Sequence, residues 1–165
     1  MSLMHQLATA LAPWADFYNG STLAQSTVTF GHFGGMMTAG GFALATDRST
    51  LRAAAAGDGD RLRHLRELTG IHPIVVGALA VTATSGLLMF AADLETLAVS
   101  AVFWAKMGLI ALLLANGYTM LRTERRLQLN PVDTRQWNRL RTASLASLAL
   151  WFAVVLAGSI LPNAL

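Results

Sequence analysis

The chain has 165 residues, of which 54% are hydrophobic and only 13% charged, with a net charge of +3 and no cysteine. Soluble domains carry about 25% charged residues, so an ordinary soluble fold is excluded, and long apolar runs between short charged segments point to repeated membrane spans. The absence of thiols excludes disulfides, thiolate zinc sites, cysteine-held iron–sulfur clusters and covalently attached c-type haem.

Residues 1–21, MSLMHQLATALAPWADFYNGS, hold no lysine or arginine, so a cleaved secretory leader with a basic start is not expected. Leu3, Leu7 and Leu11 recur at helical spacing, and Trp14, Phe17 and Tyr18 suit a headgroup boundary. This pattern predicts a short interfacial helix lying on the membrane.

Four spans are predicted next, at 27–46, 73–92, 99–121 and 143–161, each close to the roughly 20 residues that a bilayer core requires. They must be helices, because backbone groups in lipid have to be satisfied within the segment. Pro73 reads as a helix start, where its missing N–H costs nothing.

The arginines give the orientation. Arg48, Arg52, Arg61, Arg63 and Arg66 lie between the first two spans, and Arg122, Arg125, Arg126, Arg135, Arg139 and Arg141 between the last two. The connection around Asp93 and Glu95 has no basic residue, and neither tail has one. Basic connections stay in the cytoplasm, which places both termini and the Asp93 connection in the periplasm of a bacterial inner membrane. Arginines that flank apolar spans do not mark a nucleic-acid binder; the expected partners are the lipid bilayer and other membrane subunits, or further copies of the chain.

In the first basic connection, Gly57-Asp58-Gly59-Asp60 predicts a break between two short helical pieces. Arg63 and Glu67 have the i,i+4 spacing of a surface pair, and His64 is expected in water or among headgroups. In the second connection, Asn130-Pro131-Val132-Asp133 reads as a helix stop and a new start, with Asp133 as N-cap and Trp137 at the membrane interface. The whole chain, 1–165, reads as one all-α domain, an integral membrane antiparallel four-helix bundle with a short N-terminal interfacial helix.

His32 lies about six residues into the first span, so roughly 9 Å below its outer end at 1.5 Å per residue. A polar side chain at that depth is a functional candidate. Gly31 with Gly35, and Gly34 with Thr38 and Gly41, form two small-residue faces that allow close helix packing; His32 bonded to a neighbouring helix is the structural reading. Three cofactor chemistries stand beside it. A b-type haem takes two axial ligands, here His32 with Met89, with a folded-back His5, or with a second copy's His32. A chlorophyll-type pigment takes one imidazole. Copper(I) suits imidazole and thioether, here His32 with Met36 one turn on. Lys106, the only lysine, lies at a similar depth in the third span. It snorkels toward Asp93 and Glu95, or it pairs with a haem propionate, a quinone oxygen or an anionic lipid. Asn116 suits an interhelical hydrogen bond. No Ser/His/Asp set, phosphate loop or HExxH motif appears, and a catalytic role is not expected.

The residues FWAKMGLIALLLANG, Phe103 to Gly117, resemble the CopD-like group of bacterial membrane proteins, in which an aromatic and a lysine precede a leucine-rich helix ending in a polar residue and arginines. The DRSTLR after the first span and HPIVVGALAVTATSGLLMFAADLETL, His72 to Leu97, are similar to uncharacterised four-span bacterial inner-membrane proteins. The resemblance covers about residues 30–121. It implies a bundle in the membrane and copper handling, with b-type haem in related bundles. The missing catalytic set and the plentiful small-residue faces predict an accessory or scaffold subunit of a larger membrane complex, redox or light-driven. A haem- or pigment-binding electron carrier and a copper-handling protein are the alternatives.

Overall fold

A computed structural model of the chain describes residues 3–163. The outermost residues of the predicted domain and interfacial segment, 1, 2, 164 and 165, lie outside the described residues, as do the side chains of Leu3, Met4, Asp58 and Thr69. The described chain is helical throughout: α1 (Leu3–Gly20), α2 (Thr22–Ala55), α3 (Asp58–Ala92), α4 (Leu94–Val99), α5 (Ala101–Leu129) and α6 (Thr134–Ile160), closed by a 3-10 turn at Leu161–Asn163.

The helix starts follow local chemistry. Ser21 caps α2 by accepting from the Ala24 N–H at 3.2 Å, and Ser100 caps α5 by accepting from the Phe103 N–H at 3.3 Å. Asp133 caps α6, its carboxylate accepting from the N–H groups of Arg135 and Gln136. The short α1 is tied down by Trp14, whose indole N–H donates to the Leu88 carbonyl near the end of α3 at 2.9 Å.

Three helices, α3, α5 and α6, are long and apolar enough to cross a membrane. α2, which contains the predicted span 27–46, is not among them: Gln25, Thr27, His32 and its glycines dilute its apolar character. Large apolar side chains stand exposed on the long helices, including Leu87, Trp104, Leu112, Phe152 and Leu156. An apolar outer surface of this kind suits lipid rather than water.

Two local expectations are corrected. The first basic connection does not form separate short helices. α2 runs on to Ala55 and α3 begins at Asp58, so only Ala56 and Gly57 separate two helices of 34 and 35 residues. At 1.5 Å per residue each is about 50 Å long, well beyond a hydrocarbon core of about 30 Å. Pro73 consequently lies inside α3 rather than at its start.

The extra length builds the core. Ala53, Leu65, Leu68, Leu127, Trp137 and Leu140 form one buried cluster where the arginine-bearing ends of α2, α3, α5 and α6 meet. Trp137, expected at an interface, is 1% exposed. Its indole N–H donates to the Pro131 carbonyl at 2.8 Å, and the Arg61 guanidinium stacks over its ring at 5.3 Å. At the other end the packing is thinner, with Phe90 stacked on Phe103 at 5.0 Å.

Candidate functional site

The first candidate site is built on the glycines of α2. An added Cβ at Gly35 would lie 2.5 Å from Thr82 Oγ1 and 2.8 Å from the Ala78 carbonyl oxygen of α3, and one at Gly31 would meet Val81 and Ser85. Only glycine permits this approach at position 35. On the α6 side Gly40, which sequence spacing did not single out, lies under the Trp151 ring, 3.5 Å from a virtual Cβ.

The approach of α2 to α3 brings the His32 ring to the Thr82 carbonyl, with Nδ1 at 3.1 Å, and to the Ser85 hydroxyl at 3.3 Å. A carbonyl only accepts, so Nδ1 carries the proton and donates. In the neutral ring Nε2 then holds the lone pair, and it has no hydrogen-bond partner among the described residues. Gly86 makes room for the ring: a Cβ there would lie 3.2 Å from His32 Cε1. Ser85 is held by its own bond to the Val81 carbonyl at 2.7 Å.

Lys106 comes from α5 and packs its Nζ and Cε against Gly158 of α6. Among the described residues it forms no ion pair with Asp93 or Glu95, so the snorkelling partners expected for it are not used. Met36 follows His32 by one turn on α2, and Met89 follows Ser85 by one turn on α3; both are half-buried. No group of three or more His, Cys, Asp or Glu suited to a metal forms among the described residues.

Gly34, Thr38 and Gly41 do not face the bundle. Added Cβ atoms at Gly34 and Gly41 would meet nothing within 4 Å, and Thr38 is exposed with its hydroxyl turned back to the Gly34 carbonyl. Asn116 of α5 makes the interhelical bond its position suggested, donating from Nδ2 to the Ala143 carbonyl of α6 at 2.9 Å.

The second site lies in the extended arginine-bearing ends. His64, expected in water or headgroups, is 4% exposed. Its Nδ1 meets Ser49 Oγ at 3.1 Å and its Nε2 meets Thr50 Oγ1 at 2.8 Å. α2 and α3 run on together beyond their apolar stretches, so the ring falls between them rather than outside. Burial pushes the His64 imidazole below its ordinary value, with the Glu67 carboxylate opposing. His72 bridges α3 to α5 through Glu124, Nε2 to Oε2 at 2.9 Å. Asp47 is 2% exposed beside the Ser147 and Ser144 hydroxyls, yet its Oδ2 and Ser144 Oγ each remain without a hydrogen bond of good geometry.

Sequence spacing missed Asp47, Thr50, His64, Glu124, Ser144 and Ser147 as a set. A signal was present. Asp47, Thr50 and Ala53 recur at helical spacing on one face, as do Leu65, Leu68 and His72, and Trp137, Leu140, Ser144 and Ser147. The arginines between them hid the stripe.

No family model matches the chain, and no curated protein or solved structure matches it either.

Proposed function

We propose that the chain is a multi-pass bacterial inner-membrane protein in which α2, α3, α5 and α6 cross the bilayer as an antiparallel four-helix bundle, and that it serves as an accessory or scaffold subunit of a larger membrane assembly. The fourth crossing is supported by the packing of α2, which lies against α3 through Gly31 and Gly35 and against α6 through Gly40. A helix covered on two sides by apolar neighbours needs less apolar character of its own. The eleven arginines in two connections support cytoplasmic hairpins and periplasmic termini.

The observation that carries the subunit reading is the leftover face of α2. Gly34, Thr38 and Gly41 lie open beside Phe30 and Met37, which are 79% and 74% exposed. Small residues are the surface through which membrane helices approach one another, and here they sit on the long helix least suited to bare lipid. The occupant that fits is a helix of another subunit.

The chain has no cysteine, which makes cross-linking in native membranes clean. A Gly41→Cys variant is expected to give one adduct with a different protein, while Gly108→Cys, at an open site on α5, gives none. A product of twice the chain's mass would replace the subunit reading with self-association. Absence of any adduct at Gly41 would overturn both.

A second reading is favoured by His32. An imidazole fixed through one nitrogen by a backbone carbonyl, with the other nitrogen free, is the arrangement of a histidine held ready for a metal. The residues fit a single axial ligand to haem b or a chlorophyll-type pigment, with Lys106 available to an anionic edge of the group, or a copper(I) ion shared with Met36. Visible spectra of protein purified in mild detergent, oxidised and reduced, test this. A Soret band lost in His32→Ala supports a haem, and a colourless wild type that takes up no copper(I) rules the reading out.

A further inference from the structure

We propose that the groove between the arginine-bearing ends of α5 and α6 binds the headgroup of an anionic phospholipid. The groove has a volume of about 480 Å³. Its lining changes along its length. Arg135 and Arg139, one turn apart on α6, line its arginine-bearing end; Thr142 follows along α6, with Thr119 contributed by α5, and then Ala143 and Ala146 toward the apolar part of the helix. Cations, then hydroxyls, then methyls is the order of groups met by a lipid that enters headgroup outward.

The charges there are uncompensated. No carboxylate lines the groove, and neither arginine makes an ion pair among the described residues. The nearest acid in sequence, Asp133, is engaged in capping the N–H groups of Arg135 and Gln136. The Thr119 and Thr142 hydroxyl protons are committed to the Ala115 and Asn138 carbonyls, so their oxygens are left to accept from a headgroup hydroxyl. A free phosphate would use the arginines alone; the alanine end has a use only if an acyl chain continues from the phosphate. Basic pockets between spanning helices on the cytoplasmic side commonly hold anionic headgroups.

This inference rests on the reading that α5 and α6 cross the membrane with their arginine ends in the cytoplasm. The test is native mass spectrometry of the full chain in a neutral detergent, titrated with phosphatidylglycerol, phosphatidylcholine or inorganic phosphate. One phosphatidylglycerol is expected to bind in preference to phosphatidylcholine. Arg135→Gln with Arg139→Gln should weaken it roughly tenfold or more, on the scale of two surface cations. Ala146→Leu, which fills the alanine end and keeps both charges, should also weaken it, and Arg48→Gln with Arg52→Gln on α2 should not. Equal binding of both lipids, or an unaltered double variant, would overturn the proposal, and so would inorganic phosphate binding as well as the lipid. Labelling a cysteine placed at Val132 from each face of the membrane reads the topology separately. Cytoplasmic labelling without a lipid preference defeats the groove alone, whereas periplasmic labelling defeats the topology and the groove together.

Discussion

His72 joins α3 to α5 through the Glu124 carboxyl. His72 Nδ1 lies 2.7 Å from the Leu68 carbonyl, and Nε2 lies 2.9 Å from Glu124 Oε2. The carbonyl only accepts, so Nδ1 must be protonated. Nε2 and Oε2 can then bond only through a further proton, carried by the ring as imidazolium or by the carboxyl as acid. The Glu124 side chain is 6% exposed and that of His72 33%, so truncating the histidine leaves a buried acid without its partner. His72→Ala is expected to destabilise the bundle by about 3 kcal/mol, and Glu124→Gln, which can donate an amide N–H to a neutral ring, by only about 1 kcal/mol. In a double-mutant cycle of denaturant unfolding, the loss in the His72→Ala/Glu124→Ala variant should be well below the sum of the single losses. Additive losses would mean that the two side chains do not couple.

Gly35 and Gly34 are neighbours with opposite environments, and their alanine variants should separate. At Gly35 the new methyl would meet Thr82 Oγ1 and the Ala78 carbonyl at distances no real Cβ tolerates. α2 would have to move off α3, at a cost of about 1–3 kcal/mol. At Gly34 nothing lies within 4 Å, and alanine should stabilise the helix by up to about 1 kcal/mol. Thermal unfolding in detergent reads both. Equal effects at the two positions would show that α2 does not rest on α3 through this face.

The same contrast shows what the sequence could and could not convey. Stops and caps were legible because their causes are local: Asn130-Pro131 ends one helix and Asp133 begins the next within four residues. The Arg63–Glu67 pair, at 3.9 Å, is local in the same sense. Small-residue faces were legible as faces, but which of them meets a neighbour was not, because Gly31 and Gly34 look alike until α3 is placed. The buried polar set was hidden for a different reason. Ser49 and Thr50 reach His64, and His72 reaches Glu124, across separate helices, while the intervening arginines make each segment read as solvated.

Gly86 is the floor under the His32 ring, and it offers a test that leaves the imidazole itself in place. A side chain at position 86 would press on Cε1 from 3.2 Å. Gly86→Val is expected to displace the ring from the Thr82 carbonyl and free Nδ1 from its acceptor. The His32 Nδ1 proton in solution NMR of the detergent-solubilised protein should be protected from exchange in the wild type and lose that protection in Gly86→Val. Gly77→Val, at an open site on the same helix, should leave it unchanged. Retained protection in Gly86→Val would show that the ring is not held by α3 in this way.

His64 makes the arginine-bearing end sensitive to acid. Burial favours the neutral ring, so the folded value lies below the ordinary 6.5. A group lowered on folding binds fewer protons in the folded chain than in the unfolded one. Its contribution is therefore complete above about pH 6.5 and is lost as the pH falls through the folded value. The Glu67 carboxylate opposes the shift and narrows the window. The Asp47 and Glu124 carboxyls, held above their ordinary values by burial, gain stability on acidification and oppose this slope. The His64 part is therefore read as the difference in unfolding free energy between wild type and His64→Gln from about pH 7.5 down to about pH 5, and it should stay below about 1.4 kcal/mol per pH unit, the limit for one proton. In His64→Gln, whose amide can still meet Ser49 or Thr50, this part of the slope should vanish while most of the neutral-pH stability remains. An unchanged slope in that variant would assign the acid sensitivity to other groups, and a wild type that gains stability on acidification relative to His64→Gln would contradict the buried neutral ring.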